Sequence, residues 1–280
     1  MLFVMTDIED APTAAAPPPY TGLVPSTGAG VIGVDVGGSG IKAAPVDVEN
    51  GTLTAERVRL ETPHPSTPQA IAATVAEVVG TVVQECGPGA IAPQAAVGLT
   101  LPSVIRGGQV LTAANIDPAW IGLHAVDLFS EALGRPVVVV NDADAAGVAE
   151  VRFGAGRDVE GVVLMLTLGT GIGSALFVDG HLVPNTELGH LPLRGGDAER
   201  YAASSVRKAE GLSMKKYAKR LQEYLELVER LIWPDVILIG GGISKRADEF
   251  LPHVQLDTPV QPAQLRNEAG IVGAALLTPT

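Results

Sequence analysis

Two stretches of this chain share one form, and together they restrict the fold more than any composition figure. Val31-Ile-Gly-Val-Asp-Val36 is a β-branched apolar run that reads as a buried strand. Gly37-Gly-Ser-Gly40 breaks it, and Ile41-Lys-Ala-Ala-Pro-Val46 resumes an apolar strand. About 130 residues later, Val162–Leu168, Gly169-Thr-Gly-Ile-Gly173 and Ser174–Val178 repeat strand, glycine turn and strand. Duplication into two similar lobes, with both loops facing one cleft, is the economical explanation. Consecutive glycines let backbone N–H groups cradle an anion because no Cβ intervenes. Two such loops point to phosphoryl chemistry; the bland reading of either alone is a tight turn. Asp35, just before the first turn, is placed to hold Mg²⁺ directly or through water beside bound phosphate.

Two rival phosphate motifs fail at the first loop. It lacks the Gly-Lys-Ser/Thr ending of a Walker loop. Gly38-Ser-Gly40-Ile-Lys-Ala43 fits the loose dinucleotide fingerprint, with Glu61 roughly the right distance on, but that fingerprint must open a helix. Pro45, Val46 and the Glu49-Asn-Gly51 turn predict a hairpin instead.

The remaining elements alternate. Val58–Thr62 reads as a strand, and Pro68 at a first turn opens a helix that runs to Cys86 and stops at Gly87-Pro-Gly89. Ala95–Leu101 and Pro136–Val140 read as strands around a helix at Val126–Leu133, and a helix beginning at Ala145 follows Asn141-Asp142. Ser213–Ile232 is the clearest helix. Met214, Tyr217, Ala218, Leu221, Tyr224, Leu225, Val228, Leu231 and Ile232 fall on one face, where Met and Tyr are core packing. Val236–Ile239 is a buried strand ending in Gly240-Gly-Gly242, and Ala269–Leu277 is a last small-residue helix. The alternation predicts mixed or parallel sheets covered by helices. Residues 1–28, with Ala11-Pro-Thr-Ala-Ala-Ala-Pro-Pro-Pro19, read as a disordered leader.

At 280 residues and 46% hydrophobic, the chain is long enough for two α/β domains. Cys86 stands alone, which excludes a disulfide framework and suits a reducing cytosol. No apolar run reaches membrane-spanning length, and acidic residues stand where a signal peptide would be basic, so the expectation is a cytoplasmic protein without a membrane partner. A net charge of −12 disfavours nucleic acid as a partner.

Asp35-Val-Gly-Gly-Ser-Gly-Ile-Lys42, Leu168-Gly-Thr-Gly-Ile-Gly173, Glu187-Leu-Gly-His190 and Val236-Ile-Leu-Ile-Gly-Gly-Gly242 together resemble the ROK family of sugar kinases, in the right order over residues 31–280. Asn185-Thr-Glu-Leu-Gly-His190 and Gly242-Ile-Ser-Lys-Arg-Ala-Asp248 resemble its actinobacterial polyphosphate glucokinases and glucomannokinases. The resemblance implies an α/β, actin-like (ribonuclease H-like) two-lobe fold with duplicated domains and a central cleft. The lobes would be residues 29–140 and 141–280, with the last helix a candidate to return to the first lobe. It implies Mg²⁺ as cofactor, glucose as acceptor with mannose as a further candidate, inorganic polyphosphate and ATP as donors, and a homodimer. Most of the family carries a Cys-rich zinc loop after Glu-x-Gly-His. Leu191–Ala209 has no cysteine, and the polyphosphate branch also lacks that loop, so no zinc is expected.

Carried over residue by residue, the resemblance makes Asp142 the catalytic base for the sugar O6. Asp142 also stands at a strand end, where open α/β sheets place ligands; the bland reading is that Asp142 or Asp144 caps the next helix. Asn115, Asn141, Glu187, His190 and Glu199 match sugar-binding positions, Glu199 with an alignment loosened by the missing zinc loop. Gly37, Gly38, Ser39, Thr170 and Gly171 match phosphate positions, and Gly241 and Gly242 the adenosine side. Lys42 carries no assigned role and reads equally as a surface lysine at the far end of the hairpin.

Charge argues independently of any family. Eight of nineteen basic residues lie between Arg194 and Arg220, and only Asp197, Glu199 and Glu210 offset them, so the stretch is net +5 inside a −12 chain. Lys215, Lys216, Lys219 and Arg220 form a candidate track for a polyanion longer than ATP; the alternative is a solvated helix face. Open alternatives are an ATP-only glucokinase, a related mannose or N-acetylhexosamine kinase, and a non-catalytic sugar sensor. ROK-type repressors carry a winged-helix domain that a leader of roughly 28 residues is too short to form.

Overall fold

A computed structural model of the chain describes residues 30–114 and 116–278. The expected leader at residues 1–28 and Asn115 lie outside them. The first apolar run forms β1 (Val31–Gly37), turns at Gly38-Ser39 and returns antiparallel as β2 (Gly40–Asp47). Short strands β3 (Thr52–Leu53) and β4 (Val58–Leu60) pair with β2. Helix α1 (Pro68–Cys86) starts at the Thr67 cap with Pro68 in its first turn. Strands β5 (Val97–Leu101), β6 (Ile105–Arg106) and β7 (Gln109–Val110), helix α2 (Ala125–Leu133) and strand β8 (Val137–Asn141) complete this half.

The second half opens with α3 (Asp142–Phe153), β9 (Val162–Leu168), β10 (Ile172–Val178) and β11 (His181–Val183). A small hairpin β12 (Pro192–Leu193) and β13 (Gly196–Asp197) precedes α4 (Glu199–Ala202), α5 (Ser204–Ala209) and α6 (Met214–Ile232). Strand β14 (Val236–Gly240), helix α7 (Ala247–Phe250), strand β15 (Val260–Pro262) and helix α8 (Ala269–Leu276) end the chain. One sheet runs β3-β2-β1-β5-β8 and the other β11-β10-β9-β14-β15. In both, an antiparallel glycine-turn hairpin leads into two parallel strands, so the repeat seen in sequence is a repeat of topology. Strands β5 and β14 are buried at every residue, as central parallel strands are. No helix among the described residues is long and apolar enough to cross a membrane.

Three cores follow from this layering. One lies between the first sheet and α1 and α2, one between the second sheet and α6, and one between the two sheets around α3 and α8. The last helix packs against β1 and β5 of the first sheet. Its approach requires glycine: a Cβ on Gly33 would fall inside the Ile271 carbonyl, and one on Gly98 inside the Ala274 carbonyl. Gly273 lies equally close to the Ala145 carbonyl of α3.

The amphipathic face of α6 differs from expectation in its last turn. Leu231, expected inside, is 57% exposed, and Glu229 is buried with its Oε1 accepting the Thr258 N–H at 2.6 Å. Trp233, left-handed at φ 50°, ends the helix and turns the chain toward β14, so Leu231 projects beyond the core.

Gly98→Ala should lower stability by about 1–3 kcal/mol, the usual cost of overpacking a tight interior, and so lower Tm by several degrees in a body of this size. Gly38→Ala, with open space around the added methyl, should leave Tm unchanged. Thermal unfolding of the two variants checks this; equal Tm values would mean that α8 does not sit as close to β5 as described.

Candidate active site

The two glycine turns face one cavity of about 500 Å³. Gly37, Gly38 and Ser39 line it from the first sheet, Gly169 to Gly173 from the second, and Gly241 from the end of β14. Gly241 has φ 77°, and a side chain there would strike the Leu168 backbone. Gly242 is exposed and does not line the cavity. Parallel strands end here, so the residues just past them project into the opening.

Asn141 and Asp142 follow β8 at that edge. Helix α3 begins at Asp142, three residues earlier than expected, and neither acid is its cap. Asn141 is: its Oδ1 accepts the N–H groups of Ala143 (2.8 Å) and Asp144 (3.1 Å), while its Nδ2 donates to the Ser103 carbonyl (3.1 Å). That leaves one Nδ2 hydrogen for a ligand. Asp142 is thereby freed from capping and lines the cavity. Burial, then the field of Asp35, then that of Glu187, push its pKa up to about 7, against the pull of a 2.9 Å bond from the Ala143 N–H.

The opposite wall carries Glu187, His190 and Glu199. His190 lies between two carboxylates, with Nε2 3.5 Å from Glu187 and Nδ1 3.5 Å from Asp197. Glu199 Oε2 accepts the Ile172 N–H (3.2 Å), tying this wall to the second glycine hairpin. Burial raises the Glu187 pKa, His190 opposes it and Glu199 adds to it. Gly189 is obligatory between Glu187 and His190, because a side chain would meet the Ile172 carbonyl.

Sequence reasoning missed the fastening between the walls. Asn185, left-handed at φ 60°, pairs its side-chain amide with both backbone groups of Ile105 (2.9 Å each) across 80 residues. The Asn185 N–H in turn donates to Asp144 Oδ2 at 2.8 Å. Asp144 is buried, and its pKa is also pushed to about 7, chiefly by desolvation. Asp197 and Arg59 were missed as well; the Arg59 guanidinium holds the Ser39 carbonyl at 2.7 Å behind the first glycine turn. Asn185 stood within the matched motif, but nothing local marked Asp197 or Arg59.

Asp35 and Lys42 face each other in register and pair at 2.8 Å, so Lys42 is not at the far end of the hairpin. The Thr100 hydroxyl donates to the other Asp35 oxygen at 3.3 Å. No cluster of three or more His, Cys, Asp or Glu among the described residues is arranged to hold a metal by itself. One carboxylate beside a phosphate cradle fits Mg²⁺, which keeps several waters and is held largely by phosphate oxygens.

The basic run divides. Arg194 is bidentate to Glu223 (2.7 and 3.1 Å), and Arg220 is bidentate to Glu210 and lies 4.8 Å over the Tyr201 ring. Arg220 therefore belongs to a packed cluster, which corrects its place in the expected track. Lys215, Lys216 and Lys219 are exposed and make no ion pair among the described residues. Ser205 links this region to the second glycine turn, donating its N–H to the Gly169 carbonyl (3.0 Å) and its hydroxyl to the Thr170 carbonyl (2.6 Å). Asn115 lies outside the described residues.

The sequence pattern of the ROK family matches residues 31–204. A polyphosphate glucokinase of Mycobacterium tuberculosis is 49% identical over 245 residues, covering 87% of this chain and 89% of that protein. Among solved structures, the inorganic polyphosphate/ATP-glucomannokinase from Arthrobacter sp. strain KM superposes with a TM-score of 0.86 at 52% identity, covering 89% of this chain and 98% of that one. A ROK family glucokinase from Streptomyces griseus, solved with glucose and AMPPNP, gives 0.74 at 26% identity, covering 89% and 98%. The two-lobe architecture is the actin-like fold of these neighbours.

A carboxyl held near 7 when folded, against an ordinary value of 3.8, contributes stability below about pH 4 that is lost as pH rises through 7. Asp142→Asn removes the cost of a buried charge. The variant should therefore be more stable than the wild type at pH 8, on the order of 2–4 kcal/mol, and equal to it near pH 4. Denaturant unfolding at the two pH values reads this directly, and a variant less stable at pH 8 would refute the buried charge.

Proposed function

We propose, for a chain that belongs to the ROK family, that it phosphorylates the 6-hydroxyl of glucose from inorganic polyphosphate, giving glucose 6-phosphate. The observation that carries the reading is the position of Asp142, a carboxyl with pKa near 7 in a cavity walled on two sides by glycine turns. The names of the Mycobacterium and Arthrobacter relatives support polyphosphate as donor, and the latter supports ATP as second donor and mannose as second acceptor. A single cysteine suits a cytoplasmic enzyme.

Glu187, His190, Glu199 and the remaining Asn141 N–H are suited to orient the ring hydroxyls, since carboxylates, amide and imidazole offer fixed donors and acceptors. The turns at Gly37–Ser39 and Thr170–Gly171 cradle the terminal phosphates. Asp142 accepts the O6 proton as that oxygen attacks the terminal phosphorus. The bond from phosphorus to the bridging oxygen breaks, and the shortened polyphosphate leaves with the electron pair. A base with pKa near 7 is deprotonated often enough at neutral pH to act, yet basic enough to take the proton. Asp35, with one oxygen against Lys42, would hold Mg²⁺ through water, and the ion would supply neutralising charge at the transferring phosphate.

Asp142→Asn keeps the shape and the bond from the Ala143 N–H but cannot take a proton. It should lower kcat by about 10²–10⁴-fold with sugar affinity little changed, and wild-type kcat should fall as pH drops below about 7. Retention of more than about a tenth of the activity would exclude Asp142 as the base.

Glucose assayed with ATP and then with long polyphosphate tests the donor assignment. Changing Lys215, Lys216 and Lys219 together to Gln, leaving Arg220 in its cluster, should raise KM for long polyphosphate far more than KM for ATP. It should also flatten the salt dependence of the polyphosphate reaction. Equal responses from the two donors would reduce these lysines to a solvated helix face.

A further inference from the structure

The segment between β5 and β6 is fastened at nearly every polar group. The Ser103 N–H donates to the Leu101 carbonyl at 2.8 Å, and the Ser103 carbonyl accepts Asn141 Nδ2 at 3.1 Å. The Val104 N–H donates to Thr112 Oγ1 at 2.9 Å, and both backbone groups of Ile105 are held by Asn185. The exception is the Ser103 hydroxyl. The residue is 2% exposed, yet it lines the cavity, and its Oγ has no hydrogen-bond partner among the described residues.

A buried hydroxyl without a partner has given up its hydrogen bonds to water for nothing in return, so such groups are rare and call for a physical reason. Among the described residues, three other buried side-chain polar atoms share this condition: Asp144 Oδ1, Arg207 Nε and Tyr224 OH. None of those residues lines the cavity, and Ser103 does. Its backbone is anchored on both sides, so the hydroxyl has a fixed origin and only its own rotation to adjust. A ligand entering the cavity is the partner the protein does not supply.

Its neighbours indicate which part of the ligand it meets. Ser103 stands with Asn141 and Asp142 at the ends of the paired strands β5 and β8, and its carbonyl holds the Asn141 amide whose remaining N–H is assigned above to the sugar. A neutral hydroxyl both donates and accepts, which matches a sugar hydroxyl and adds no charge beside the Asp142 carboxyl. We propose that the Ser103 hydroxyl recognises the acceptor, hydrogen-bonding one ring hydroxyl of the bound hexose. This rests on the sugar kinase reading above.

Calorimetric titration of glucose and its 1-, 2-, 3- and 4-deoxy analogues, without donor, into the wild type and Ser103→Ala tests it. The variant should bind glucose about three- to tenfold more weakly, the factor expected for one neutral hydrogen bond. One analogue should bind the wild type more weakly than glucose by a similar factor, and should bind Ser103→Ala as well as glucose does. Donor KM should not move and Tm should not fall, because the hydroxyl removed satisfies nothing in the free protein. Identical analogue penalties in both proteins, or weaker glucose binding accompanied by a lower Tm, would overturn the proposal. If the wild type binds hexose but phosphorylates it from neither polyphosphate nor ATP, the kinase reading fails while the titrations still judge Ser103. If no hexose binds, both fall.

Discussion

Helices α3 and α8 lie between the two sheets at distances that only missing side chains permit. Gly33 and Gly98 admit the α8 backbone onto the first sheet, and Gly273 admits it onto α3. On the other side Gly147 lets α3 settle against Ala175 and Phe177 of the second sheet. Because α3 begins at Asp142, the depth at which it is wedged sets how far that carboxyl stands into the cleft. Interiors at this density do not yield by tenths of an ångström without repacking. The position of the Asp142 carboxyl is thus a consequence of glycines up to 131 residues away from it in the chain.

Charge in the cleft is uneven in a way that suits a proton acceptor next to an anionic donor. Asp35 is balanced by Lys42, and Glu187 has His190 beside it, whereas Asp142 has only a backbone N–H. The cleft-lining carboxyl with no cation beside it has its pKa raised to about 7, because burial and two like charges act on it together. On the proposed reading the glycine turns would meet phosphate with backbone N–H groups, which bind anions without adding positive side chains that would pull that pKa back down. On the same reading, Lys215, Lys216 and Lys219, exposed on α6 without an ion pair among the described residues, would attract a long polyanionic donor at long range.

Local chemistry in the sequence determined a large part of this. Glycine turns between β-branched runs fixed two hairpins and their repetition, Thr67-Pro68 and Ser213 fixed helix starts, and the apolar stripe fixed the buried face of α6 apart from its last turn. Those signals are legible because strand alternation, helical period and turn stereochemistry act over a few residues. The quoted motifs also marked part of the cavity lining, namely the two glycine turns, Glu187, His190 and Gly241, but not Gly242, which lies outside it.

What the tertiary structure alone decided lies in pairings between distant residues. Asn141 rather than either acid caps α3, because its amide also reaches Ser103, 38 residues away. Asn185 fastens Ile105, Glu223 takes Arg194, and Glu229 replaces Leu231 inside because a loop N–H at Thr258 needs an acceptor. Arg220 leaves the basic track for Glu210 and Tyr201, and Ser103 is left as a hydroxyl without a partner. A hydrogen bond depends on the direction and distance of two groups, and composition or period records neither for residues far apart in the chain.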